Sequence, residues 1–306
     1  MENKNNKKST TTISAPILVL AVLLLFEISK ILLNAYFKDD SNIYIISVIM
    51  QVIIYILPSA LYFQLRGRKF SEPLNLRLLK PKYFSATVSF TFLFLITITL
   101  VKFVMYYLTD GSYTVTTGNE LAELISSKNE YNPIFLIVSF IIVPTVCEEL
   151  FFRGLVLSEY QSYGNINAVL VSAFFFAMFH FSAINFLSYF LCGLIFGFVT
   201  VVTRSVIPAM FLHMLNNLLS LYTTDTFLKM MIRESGMFFM GFILLVLFLL
   251  ALVLTLSRVE HIYYTYSENP PTETVPAMSG SNFGTLFSSP SLWLLVGVFI
   301  LISFIN

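Results

Sequence analysis

A succession of apolar runs, each about 20 residues long, constrains the fold of this chain more than any other feature. A helix of that length spans the ~30 Å hydrocarbon core of a bilayer. Inside a bilayer the backbone must satisfy its own hydrogen bonds, which favours helices. Charged residues make up 11% of the chain, against about 25% in an average soluble domain. The sequence therefore predicts an all-α, polytopic transmembrane bundle of about eight core helices plus one C-terminal helix.

The apolar runs also divide the chain into parts. We expect a cytoplasmic N-terminal tail (1–13), a transmembrane domain (14–257) with its functional core at 133–223, a Pro/Ser/Thr-rich flexible linker (258–290) and a last helix (291–306). A short amphipathic helix is expected within 109–132. The predicted spans are roughly 14–36, 42–65, 83–108, 133–157, 166–182, 184–203, 206–223, 237–257 and 291–306.

Charge predicts the orientation and excludes one class of partner. Basic residues concentrate before the first span and between the second and third, so the positive-inside rule places the N-terminus and the 66–82 loop in the cytoplasm. The first span lacks a small-residue cleavage site and is expected to be retained. A net charge of +1 without a basic stripe argues against nucleic acid. The Asn/Lys-rich tail and short loops suggest a prokaryotic plasma membrane.

Two carboxylates and a guanidinium interrupt the fourth apolar run. Charge at this depth costs roughly 2.5–3.5 kcal/mol per residue on insertion scales, so such groups commonly have a function. Glu149 and Arg153 are four residues apart and can pair on one helix face. Glu148 is rotated by about 100° from Glu149 and is left for another partner. Pro144 predicts an irregular helix just before them.

Three further polar residues lie on later apolar helices. His180 shares a face with Phe176, and His213 shares a face with Asn217. Each alone is explained by an interhelical hydrogen bond. Counted at about 1.5 Å per residue from the helix ends, Glu148, His180 and His213 are compatible with one layer of the membrane. Together they form a set able to activate water.

Two chemistries fit that set. Glu148 could take a proton from water while His213 and Asn217, or His180, stabilise the oxyanion of an attacked carbonyl. Alternatively, Glu148, His180 and His213 could hold a zinc ion with one open position. Cys147 as a nucleophile ranks third, because a thiol in apolar surroundings is poorly activated.

These residues resemble a known family. The patterns Glu148-Glu149-x-x-x-Arg153, Phe176-x-x-x-His180 and His213-x-x-x-Asn217, in this order, are similar to those of the CPBP (CAAX protease and bacteriocin-processing, or Abi) intramembrane proteases, which include the type II CAAX prenyl endopeptidases. Phe190-x-x-Gly193-x-x-x-Gly197 adds to the resemblance, which covers roughly 133–223.

The resemblance implies an intramembrane endopeptidase and a role for each matching residue. Glu148 would activate water, His180, His213 and Asn217 would surround it, and Glu149 and Arg153 would support and orient the site. No cofactor is favoured, with zinc as the alternative. The implied substrate is a membrane-associated peptide or lipidated protein, of which prenylated CAAX tails are the archetype.

Two other classes of function compete with this prediction. A non-catalytic membrane adaptor or bacteriocin-immunity protein would use the same polar cavity for binding. A proton-coupled transporter would use Glu148 and the histidines as a relay. The transporter is disfavoured because the sequence shows neither duplicated halves nor matched broken helices.

Overall fold

The computed structural model describes residues 15–32, 35–36, 43–66, 76–109, 133–182, 184–222, 230, 232–233, 236–268 and 290–305. Within these ranges the chain forms nine long helices and no strand, which confirms the predicted all-α fold. The helices are α1 (Ala15–Leu32), α2 (Ile43–Gln51, Val52–Ile56 and Leu57–Leu65), α3 (Phe84–Leu108), α4 (Pro133–Ile137, Val138–Ile142, Val143–Glu149, Leu150–Val156 and Leu157–Tyr160), α5 (Asn165–Met178), α6 (Phe186–Thr203), α7 (Ile207–Tyr222), α8 (Met237–Glu268) and α9 (Pro290–Ile305).

Length and hydropathy make six of these helices able to cross a membrane, as predicted for a polytopic protein. The qualifying stretches in the described chain are Ala15–Leu32, Ile45–Leu65, Pro81–Leu108, Ile134–Tyr160, Phe186–Thr203 and Met237–Tyr264. Two shorter apolar helices, Asn165–Met178 and Pro290–Ile302, accompany them. The multi-pass membrane architecture is therefore confirmed.

One predicted boundary is corrected by α8, which continues to Glu268 beyond the predicted end at 257. No Pro or Gly interrupts the chain until Pro270. Val259, Ile262 and Tyr263, at helical spacing, pack against the core. The predicted linker therefore begins with helix. The predicted tail (1–13), the amphipathic helix, apart from its first residue 109, and residues 269–289 lie outside the described ranges.

Helix α4, which carries the first polar motif, is irregular. Its segments Val138–Ile142 and Leu150–Val156 are wider π-helical turns, and they flank the α-helical piece Val143–Glu149. Pro144 cannot donate to the carbonyl one turn earlier, which favours a break in the regular hydrogen bonding at this point. Single π turns in helices occur frequently at functional sites. The irregularity expected at Pro144 is thus present.

Helix α6 lies in the middle of the bundle and packs against α3, α5 and α7. Gly193 and Gly197 let α5 approach closely, since a β-carbon at Gly193 would lie 2.8 Å from the Ala173 Cα. One at Gly197 would lie 2.9 Å from Val169 Cγ1. Small residues commonly permit such close helix packing in membranes.

Helix α8 lies antiparallel along α3. Near one end, Thr255 Oγ1 donates to the Ser89 carbonyl at 3.1 Å. Near the other end, Phe103 packs with Met240 and Leu244 in a small buried cluster. The C-terminal part of α8 therefore lies beside the start of α3.

Candidate active site

Glu149, Arg153 and His213 form a hydrogen-bonded cluster inside the bundle. Arg153 Nη1 donates to Glu149 Oε1 at 2.7 Å, as the sequence spacing predicted. His213 Nδ1, on α7, lies 2.8 Å from the same oxygen. The side chains of Glu149 and Arg153 are fully buried, and that of His213 is 4% exposed. An ionised carboxylate only accepts, so we assign the proton to His213 Nδ1, which turns Nε2 toward the rest of the site.

Aromatic rings and one carbonyl enclose the guanidinium of Arg153. Its Cζ lies 4.5 Å from the Phe176 ring centroid and 5.1 Å from that of Phe196. Nη2 donates to the Gly193 carbonyl at 3.3 Å. Phe196 also stacks on the His213 ring, with centroids 5.3 Å apart. The cation is thus held from α4, α5 and α6 at once, which fixes its position.

Glu148 has a different environment from its neighbour Glu149. Its side chain is 16% exposed, and Oε2 lies 3.9 Å from His213 Nε2, beyond direct hydrogen-bond distance. It has no hydrogen-bond partner among the described residues. Glu148 is therefore the carboxylate of the pair that remains accessible to another molecule.

Asn217 lies one helical turn after His213 and completes the contact between α4 and α7. Its Nδ2 donates to Thr145 Oγ1 at 3.2 Å, and its Oδ1 accepts from Asn216 Nδ2 at 3.3 Å. Thr145 lies one turn before Glu149, so two polar contacts align the antiparallel helices. One N–H of the Asn217 amide is left for a ligand.

His180 lies at the edge of the cluster. Its Nδ1 donates to the Phe176 carbonyl at 2.9 Å, and its ring stacks on Tyr189 with centroids 3.7 Å apart. The Phe176 ring lies between the two histidines, 4.8 Å from His180 and 5.4 Å from His213 by centroid distance. His180 thus joins the site through Phe176.

The segment after His180 is held by helices outside the motif region. Phe181 has a positive φ of 45°, which is rare for a bulky residue. The α9 residue Phe299 packs on its ring at 5.6 Å between centroids, and Lys30 Nζ on α1 lies 4.8 Å from that ring. The first and last helices therefore support the chain beside His180.

The alternative zinc set does not fit this arrangement. Three ligands must converge on one point for a catalytic zinc site. In the described part of the chain, no group of three His, Cys, Asp or Glu side chains is gathered closely enough to hold a metal ion. No step of the mechanism proposed below therefore uses a metal ion.

Sequence reasoning missed three contributors to this site. The sequence spacing gives only a weak indication of Thr145, which lies three residues before Glu148 on a neighbouring helix face. Tyr189 precedes the predicted Phe190 motif, but nothing in the spacing indicated stacking on His180. The Gly193 carbonyl is a backbone group and leaves no side-chain signal. Cys147, the third-ranked nucleophile, is 4% exposed and unpaired.

The class of protein now follows from the fold and the site: a polytopic helical membrane protein with a buried polar centre shared by α4 and α7 and edged by α5 and α6. Residues 130–219 match the family model described as type II CAAX prenyl endopeptidase Rce1-like. This segment contains all six predicted site residues, and the resemblance drawn from the motifs is confirmed over it. No curated protein and no solved structure matches the chain significantly.

Proposed function

We propose that this protein is an intramembrane endopeptidase in which Glu148 activates the attacking water. The observation that carries the proposal is the different surroundings of the two adjacent carboxylates. Glu149 is fully buried and holds Arg153 and His213, whereas Glu148 is accessible and faces His213 Nε2 at 3.9 Å. The family match supports endopeptidase activity in general.

Glu148 acts as the general base. It takes a proton from water as the water oxygen bonds to the carbonyl carbon of the substrate. Glu148 Oε2 and His213 Nε2 lie 3.9 Å apart, so a water molecule beside the pair can contact both side chains. When the C–N bond breaks, Glu148 returns that proton to the leaving amine.

His213 stabilises the negative oxygen of the tetrahedral intermediate. To donate from Nε2, the ring must carry protons on both nitrogens, and the Glu149 carboxylate on Nδ1 holds the ring in the orientation for this role. The remaining amide N–H of Asn217 is a second donor. Arg153 balances the charge of Glu149. His180 lies at the edge of the site and contacts the Phe176 ring.

The substrate is a membrane-associated peptide or lipidated protein, including tails of the prenylated CAAX type. Of the helices that carry the site, α4 and α6 are long and apolar enough to cross a membrane and α5 is a shorter apolar helix. A scissile bond therefore reaches the site from a segment that partitions into the membrane. We propose that the reaction uses no metal ion, because the residues on hand provide a base and oxyanion donors.

The test uses full-length protein in proteoliposomes with prenylated and unprenylated membrane-anchored peptides. We expect wild type to cleave and Glu148→Gln to lose roughly 10²-fold or more of kcat, the usual contribution of a general base. Glu260→Gln, an exposed carboxylate on α8, is the matched control and keeps full activity. Cys147→Ala also stays active, and chelators leave wild-type activity unchanged.

Other results overturn parts of the proposal separately. Unchanged cleavage by a folded Glu148→Gln variant removes Glu148 from the chemistry. Chelator-sensitive cleavage with stoichiometric bound zinc removes the metal-free mechanism. If neither form cleaves any peptide while Glu148→Ala complements a cellular phenotype, the adaptor function replaces the enzyme.

A further inference from the structure

A groove of about 560 Å³ runs along the outer side of the bundle between α3 and α8. This volume lies within the 300–1,000 Å³ range typical of small-molecule sites. One wall is an apolar stripe of α3 that includes Phe84, Val88 and Phe92. The opposite wall includes Leu250 and Leu254 of α8.

The groove is separated from the candidate active site by α3. Phe94 faces inward and contacts Phe196, with ring centroids 5.3 Å apart. Phe92, two positions earlier and about 200° around the helix, lines the groove instead. An occupant of the groove therefore has no direct contact with Glu148 or His213.

Among the described residues, Arg258 is the only charged one that lines the groove, and it lies at one end. Lys80 and Lys82, both exposed, precede the groove residue Phe84 by four and two positions. Glu260 is two positions from Arg258, about 200° around α8, and does not line the groove. The described charges at this end therefore favour an anion.

The length of the groove matches one leaflet of a bilayer. Leu247 and Arg258 both line it and are eleven residues apart on α8, so the groove extends about 16 Å along the helix. Half of a ~30 Å hydrocarbon core is about 15 Å. An acyl chain whose headgroup lies at Arg258 would thus reach the bilayer midplane.

We propose that the α3–α8 groove binds an anionic phospholipid, with an acyl chain between the two helices and the headgroup phosphate on Arg258. Basic residues at the ends of transmembrane helices commonly select anionic headgroups. This lipid site does not depend on the proposed peptidase activity, and its test can succeed or fail whether or not the protein is a peptidase.

The experiment measures local lipid composition by tryptophan quenching. Trp293 is the only tryptophan in the chain, so Trp293→Phe provides a silent background. Leu250→Trp then reports from the groove, and Leu249→Trp, similarly exposed but outside it, is the matched control. The protein is reconstituted in phosphatidylcholine vesicles that contain brominated phosphatidylcholine or brominated phosphatidylglycerol at equal mole fraction.

We expect brominated phosphatidylglycerol to be enriched roughly fivefold at the Leu250→Trp position, a preference typical of one basic residue near the surface. The Leu249→Trp position shows no such preference. Adding Arg258→Gln removes the enrichment, and Arg258→Lys retains it. A melting temperature equal to that of the parent confirms folding of each variant.

Three outcomes overturn the proposal. The first is equal quenching by both lipids at the Leu250→Trp position, and the second is an enrichment that survives Arg258→Gln. The third is relief of quenching by a farnesylated peptide at low mole fraction, which would make the lipid chain of a substrate the occupant.

Discussion

At the scale of single residues, the two neighbouring carboxylates Glu148 and Glu149 have different surroundings. Because adjacent positions on a helix differ by about 100°, Glu149 points into the bundle while Glu148 keeps a partly exposed side chain. Burial of an ion pair is costly unless its geometry is good and its remaining polar atoms are satisfied. Glu149 Oε2 and Arg153 Nε have no hydrogen-bond partner within the described residues. The Glu149–Arg153 pair therefore fixes the positions of these side chains and balances their charges, and it adds less to the free energy of unfolding.

We predict that Glu149→Gln destabilises the protein strongly. The substitution removes the carboxylate that pairs directly with the fully buried Arg153 guanidinium, and breaking a buried ion pair typically costs about 3–5 kcal/mol. Unfolding in mixed detergent, followed by circular dichroism, measures this loss. Glu148→Gln, at a partly exposed position without a hydrogen-bond partner among the described residues, is expected to remain within about 1 kcal/mol of wild type.

A double variant separates charge from packing at the same place. Glu149→Leu with Arg153→Met removes both charges and retains similar volumes, so most of the stability should return. Its peptidase activity should stay low, because His213 loses the carboxylate on Nδ1. A double variant that is less stable than Glu149→Gln would show that the pair itself stabilises the fold.

At the scale of helices, the close contact of α5 with α6 positions the site. Gly193 serves two purposes there: it has no side chain to separate the helices, and its carbonyl accepts from Arg153 Nη2 at 3.3 Å. The guanidinium in turn holds Glu149. A change in the spacing of α5 and α6 is therefore transmitted to α4 through this hydrogen bond.

We predict that Gly193→Ala lowers both stability and activity. Its β-carbon would lie 2.8 Å from the Ala173 Cα, a backbone atom that cannot rotate away. Overpacking of this kind costs about 1–3 kcal/mol. Gly297→Ala on α9 is the matched control, because no atom of the described residues lies within 4 Å of its β-carbon. Equal melting temperatures for the two variants would contradict the close-packing argument.

Much of this architecture could be predicted from the sequence, because helix spans and the i, i+4 pairing of Glu149 with Arg153 depend on local spacing. The predicted starts of α3 and α7 are within one residue of those observed. Contacts set by tertiary packing could not be predicted. The stacking of Tyr189 on His180 and the support of Phe181 by Phe299 require knowledge of which helices are neighbours. The sequence predicts α9 only as a C-terminal helix added to the core, with no sign that its Phe299 packs on Phe181.

At the scale of the whole molecule, basic residues mark one end of the bundle. Arg77, in the segment before α3, accepts through its backbone carbonyl from Ser205 Oγ in the turn between α6 and α7. Arg66, at the end of α2, pairs with Glu159 near the end of α4. These contacts gather the loops that the positive-inside rule assigns to the cytoplasm. Orientation in the membrane itself stays a prediction.

We predict that the end carrying Lys80 is cytoplasmic and that Arg233, near the opposite end of α8, faces outward. Each is exposed and can be replaced by cysteine, and the native Cys147 and Cys192 are only 4% exposed, which keeps background labelling low. In intact cells a membrane-impermeant maleimide should label Arg233→Cys but should label Lys80→Cys only after permeabilisation. The reverse pattern would invert the topology. The same result shows which leaflet contains the headgroup site of the lipid groove, because Arg258 lies beside the start of α3. If the labelling is as predicted, this headgroup site lies in the cytoplasmic leaflet. Anionic lipids give the surface of that leaflet its negative potential.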